Sequence, residues 1–79
     1  MPRYFFHVQD GLNIPDEEGT DFPDLPSAKG HAVVYAGELI LSMGAEFWGH
    51  DDWRMTVQDE NGLTLFCLFF AGFDAAAIK

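Results

Sequence analysis

Only four side chains of the 79 are basic, one residue is cysteine, and no apolar run approaches the length of a membrane span. Each shortage excludes something. Arg3, Lys29, Arg54 and Lys79 are too few to track a phosphate backbone, so nucleic acid is not an expected partner. A lone cysteine forms no internal disulfide, which removes the stapled scaffolds of small secreted domains. The longest apolar stretch, residues 63–72, contains Thr64 and is too short to cross a bilayer. The opening residues lack the pattern of a signal peptide. A cytoplasmic protein with no membrane partner is the expectation. Phosphate-cradling glycine loops, nucleophile elbows and paired-carboxylate motifs are missing too. Neither an enzyme nor a cofactor is therefore expected.

Acid and apolar residues dominate what is present. Thirteen Asp and Glu against four Lys and Arg give a formal charge of -9. At 48% hydrophobic the chain is too apolar for a disordered acidic tail. Its length fits a single domain, with residues 1–70 as core and 71–79 as a tail whose Phe73 and Ile78 pack back on the sheet or reach a neighbour. A core this small, without disulfide or metal, relies on dense aromatic packing or on a second chain.

Residues 3–9 read as a strand, with Tyr4, Phe6 and Val8 on one face and Phe5 and His7 on the other. Asp10-Gly11 ends it. Residues 12–23 form an acidic connection, with a short additional strand near 19–22 antiparallel to the first. Residues 24–43 read as a helix: Asp24 caps it, Pro26 is tolerated in the first turn, and Gly44 stops it. Leu25, Ala28, Ala32, Tyr35, Ala36, Leu39 and Met43 make its core stripe. Ser27, His31, Glu38 and Ser42 make a narrow polar face. Val33, Val34, Gly37, Ile40 and Leu41 lie outside both sets as a second apolar flank.

Residues 45–52 read as a loop. Residues 53–58 alternate, with Trp53, Met55 and Val57 against Arg54, Thr56 and Gln58. Asp59-Glu60-Asn61-Gly62 reads as a type I turn with a glycine bulge, or as a two-residue Asn-Gly turn. Residues 63–70 are apolar on both faces, which places them at the middle of the sheet, between 53–58 and 3–9. The expected fold is α+β: a β-α-β-β core with a three-stranded or four-stranded antiparallel sheet. One long helix covers one face, reached by a right-handed crossover.

The opening Met1-Pro2-Arg3-Tyr4-Phe5-Phe6-His7-Val8, followed by Asp10-Gly11 and Pro15-Asp16-Glu17-Glu18-Gly19-Thr20, resembles a family of small bacterial proteins. That family is a domain of unknown function frequent in soil and plant-associated bacteria. The resemblance covers most of residues 1–70 and implies a compact intracellular domain. It supplies no activity and no catalytic residue. Val33, Val34, Ile40, Leu41 and the run Phe66 to Phe70 are more apolar than the resemblance leads one to expect.

The chemistry-bearing residues are scattered. Asp10, Asp16, Glu17, Glu18, Asp21 and Asp24 are close in sequence, but their spacing does not match a calcium-binding loop. A solvated loop with Asp24 as cap is the plainer reading. His7, His31 and His50 have no ligand spacing, so no metal site is assigned. His31 and His50 are expected to face solvent. Cys67, flanked by Phe66 and Leu68, reads as a small buried hydrophobe with an inert thiol. Trp48 and Trp53 read as the seal of the core below the helix, or alternatively as a binding patch.

Two apolar sheet faces and a helix with two apolar flanks ask for more cover than one chain supplies. The expectation is a homodimeric interaction or regulatory module. Its interface would be Val33, Val34, Gly37, Ile40 and Leu41 on the helix, or Leu65 and Phe69 on the open face of strand 63–70. Exchange of an element between protomers is a subordinate form. Asp16, Glu17, Glu18 and Asp21 would face a basic protein partner. The alternative is a small-molecule or metal-binding protein that uses the acidic loop and the histidines.

Overall fold

The computed structural model describes residues 2–49 and 52–75. It is an α+β domain with strands β1 (Arg3–Gln9), β2 (Asn13–Ile14), β3 (Thr20–Asp21), β4 (Trp53–Gln58) and β5 (Thr64–Phe70), and one α-helix, α1 (Leu25–Met43). All pairings are antiparallel, and the sheet order is β2-β1-β4-β5, with β3 on β1. The short strand expected near residues 19–22 is β3; β2 was not foreseen, because Asn13–Ile14 is too brief to show periodicity.

The helix forms where its caps dictate. The Asp24 carboxylate accepts the backbone N–H of Ser27 at 2.9 Å, and Pro26 lies where no intrahelical N–H is needed. At the other end Gly44, at φ 53°, donates its N–H to the Ile40 carbonyl. Residues 44–49 then continue as a 3-10 turn that buries Phe47, where a plain loop was expected.

The core is one layer between α1 and the sheet. Tyr4, Phe6 and Val8 of β1 and Trp53, Met55 and Val57 of β4 meet Ala28 and Ala32 of the helix. Complete burial of Met55 and of Val57 contributes on the order of 1.5–3 kcal/mol each. Trp53 is also buried, but its Nε1 has no hydrogen-bond partner.

The expected strand order is corrected. The central strand is β4, not residues 63–70, which lie at the edge as β5. An α-helix about 10 Å wide covers roughly two strands spaced about 4.8 Å apart. Here it covers β1 and β4. The far face of β4 carries polar residues that suit a solvated sheet surface: Arg54 donates to Gln9, and Gln58 donates to Thr64 at 3.3 Å. Two apolar faces on β5 therefore do not mean burial within this chain. The crossover is corrected with it, because β1 and β4 are antiparallel neighbours and α1 simply returns the chain beside its start.

The hairpin turn takes the four-residue form. Gly62 sits at φ 82° and donates to the Asp59 carbonyl at 3.0 Å, while the Asp59 carboxylate accepts the N–H groups of Asn61 and Leu63. A bulge opposite Val57 and Gln58 leaves Leu65 as an extra residue on β5.

Candidate functional site

Two surfaces gather the residues singled out by the sequence: the acidic loop between β2 and β3, and the apolar side of the molecule along α1 and β5.

In the loop, Asp16 is an internal tie and does not point outward with its neighbours. Its carboxylate accepts backbone N–H groups from Phe6 at 3.1 Å, Glu18 at 3.1 Å and Gly19 at 3.0 Å. Its own N–H donates to Nδ1 of His7 at 3.0 Å. Partial burial pushes the carboxyl pKa up, but the donors from Gly19, Phe6 and Glu18, with His7 alongside, outweigh it and hold the pKa below the ordinary aspartate value. His7 is on β1 and lies parallel to the Phe5 ring. Gly19 is needed where it stands. Its φ is +75°, and an added Cβ would come 2.8 Å from Cγ of Arg3 and 2.9 Å from Cε2 of Phe5.

Asp21 pairs with Arg3, Nε to Oδ1 at 3.3 Å, and Arg3 also donates to the Glu18 carbonyl at 2.6 Å. The side chains of Glu17 and Glu18 are exposed and are engaged in no hydrogen bond among the described residues. Of the four expected acidic surface residues, these two offer free carboxylates.

The two described histidines, His7 and His31, do not converge. His31, expected in solvent, is half-buried on α1, 5.0 Å from Phe22 and 5.1 Å from Phe6 between ring centroids. The loop wraps back through Phe22, which closes the ring cluster from outside and so covers the helix position. His50 lies outside the described residues. Among the described residues no three of His, Cys, Asp and Glu group closely enough to hold a metal ion.

The apolar side is open. Val33 and Val34 are each 61% exposed, Leu41 82% and Phe69 68%. Gly37 is exposed, whereas Ile40 and Leu65 are half-buried. A groove of about 250 Å³ runs between α1 and the edge strand, with Val33, Gly37 and Ile40 on one wall, Leu68, Phe69 and Phe70 on the other. Trp53 and Ala36 complete its lining. It is smaller than a ligand pocket, which spans about 300–1,000 Å³, and it lacks convergent polar groups. Its shape suits inserted side chains. Of the two expected interfaces, Val33, Gly37 and Ile40 of the helix flank and Phe69 of β5 line this groove, whereas Val34, Leu41 and Leu65 do not.

Cys67 is corrected: it is exposed, on the sheet face away from α1, 3.8 Å from Oγ1 of Thr56. The edge position of β5 uncovers it. Trp53 seals the core as expected, but Trp48 is 60% exposed. Phe73 is 87% exposed and does not pack on the sheet, while Ile78 lies outside the described residues. The sequence signal that would have placed β5 at the edge was the polar far face of 53–58, since that strand already carries a solvated side.

No helix among the described residues is long and apolar enough to cross a membrane. Residues 3–71 match the family described as Domain of unknown function (DUF6894). No curated protein and no solved structure matches the chain.

Proposed function

The chain belongs to the family Domain of unknown function (DUF6894), matched over residues 3–71, and within that family we propose that it is a homodimeric interaction module and not an enzyme. One observation carries the reading: exposed apolar side chains border the groove between α1 and β5. Val33, Phe69 and Phe70 are exposed and line it together with Gly37, Ile40 and Leu68, an apolar strip larger than scattered single residues form. A second copy covers that surface. The loop bearing Glu17 and Glu18 belongs to the β2 side of the sheet, away from β5, and stays free to meet a basic protein partner.

Light scattering over a concentration series tests the dimer. The expected species at high micromolar concentration has twice the 8.8 kDa chain mass and dissociates on dilution. A strictly 8.8 kDa species throughout that range overturns the reading. Substitution Phe69→Lys places a charge on the docking surface without disturbing the core, and weakens association at least tenfold while the circular dichroism spectrum is unchanged.

A further inference from the structure

We infer that the second copy continues the sheet: β5 pairs antiparallel with β5 of its partner across a two-fold axis at Cys67. This rests on the dimer reading above and specifies its geometry.

The first support is the bare edge. β1 is flanked by β2 and β3, whereas β5 has β4 on one side and, among the described residues, no strand on the other. Alternate residues of the seven in β5 thus present unpaired backbone groups outward. Proteins usually guard such an edge with charge, proline or a covering loop. Residues 62–73 contain no charged side chain and no proline. Among the described residues the nearby cations lie on other elements: Arg54 of β4, opposite Phe69 and donating to Gln9, and Lys29 of α1, whose Nζ lies 5.8 Å from the Phe66 ring centroid on the helix side.

The second support is charge. Each copy carries -9, so two copies repel wherever their acidic loops face one another. The neutral edge lies at the opposite margin of the sheet from β2 and the acidic loop that follows it. A foreign basic segment would be drawn to the loop; the uncharged edge has nothing to attract it.

The third support is self-complementarity. With Cys67 opposite Cys67 of the second copy, Phe66 meets Leu68 on the helix side, so the pairs flanking the axis are apolar. The same two-fold brings the helix flanks at Val33 and Gly37 toward each other above the strands. Beyond the helix's own adjacent backbone, no heavy atom among the described residues lies within 4 Å of an added Gly37 Cβ, so that flank is open to close approach.

Area supports a stable contact. At about 200 Å² per aromatic side chain, the exposed parts of Trp48, Phe69, Phe70 and Phe73 alone present roughly 500 Å². A standard interface needs about 800 Å² per partner. Val33, which lines the groove beside β5, supplies part of the remainder.

Two measurements test the geometry on the full chain. In hydrogen exchange, alternate amides of β5 gain at least tenfold protection as concentration rises through the dimer transition. Docking through side chains alone leaves their protection unchanged, and that result overturns the sheet continuation while keeping the dimer. In thiol cross-linking, Cys67 and its counterpart lie about 4.5–5.5 Å apart at Cα, so a short bis-maleimide joins them. Moving the thiol, with Cys67→Ser and Phe69→Cys together, lowers the yield at least tenfold. Equal yields at the two positions, or none at Cys67 in a dimer verified by light scattering, overturn the proposed axis. A monomer by light scattering removes both this inference and the dimer reading.

Discussion

The backbone N–H of Asp16 donates to Nδ1 of His7 at 3.0 Å, and the Asp16 carboxylate accepts the N–H of Phe6 at 3.1 Å. The two contacts stitch the acidic loop to β1 from both sides of one residue. Because Nδ1 accepts, the proton of the neutral imidazole sits on Nε2. Nitrogen chemical shifts of His7 are expected to show that tautomer. In His7→Ala the Asp16 amide loses its acceptor and exchanges with solvent at least several-fold faster.

The Asp16 carboxylate gives stability a dependence on pH. Its folded pKa lies below the ordinary value, so its contribution is fully present above the unfolded aspartate pKa, about 3.9, and is lost as pH falls through the lower folded value. Urea denaturation from about pH 6 down to about pH 2 is expected to show stability falling on the acid side. Asp24 acts in the same direction, because the Ser27 side chain and backbone hold its carboxyl pKa low. The acid-side slope becomes shallower in Asp16→Asn. Asp16→Ala destabilises by roughly 1–3 kcal/mol at neutral pH, the usual cost of removing a charged acceptor from its donors.

Gly19→Ala is expected to destabilise by more than about 1 kcal/mol. It meets both a positive φ and a close approach to Arg3 and Phe5. Thermal unfolding checks this against Gly30→Ala, a helical position where the added methyl meets open space and where alanine is the better helix former.

Trp53→Phe is expected to cost clearly less than Trp53→Ala, because the smaller ring leaves only a small cavity and the unpartnered buried N–H goes with the indole. Trp53→Ala is expected to cost about 3–5 kcal/mol, through the cavity it leaves. Chemical denaturation of both variants separates the indole N–H from the packing of the ring.

Dimerisation is expected to tighten as salt rises from about 0.05 M to about 0.5 M, because screening removes repulsion between two chains of charge -9. Sedimentation at several ionic strengths measures it. Contact of the Glu17 and Glu18 loop with a basic peptide is expected to weaken over the same range. The opposite signs identify which surface is engaged.

Much of the local structure is legible in the residues. Asp24, Pro26 and Gly44 bound the helix because each sets a backbone condition that only the local chain can satisfy. Asp59 and Gly62 fix the turn in the same way. The strand order is not legible from 63–70, because an apolar pattern reports that a surface is covered and not what covers it. Asp16 looks like one more acid in a solvated run, since hydrogen bonds to Phe6 and His7 depend on β1 lying beside the loop. His31 is misplaced for a related reason: Phe22 reaches it only after β3 has paired with β1.

The tie at Asp16 also separates the shape of the loop from its lettering. Asp16, Gly19 and the backbone hold the outline, while the side chains of Glu17 and Glu18 take no part in it. Glu17→Gln and Glu18→Gln are therefore expected to shift stability by less than about 0.5 kcal/mol. A two-residue tip that is free to vary on a fixed frame can be rewritten for a new partner without refolding the protein that presents it.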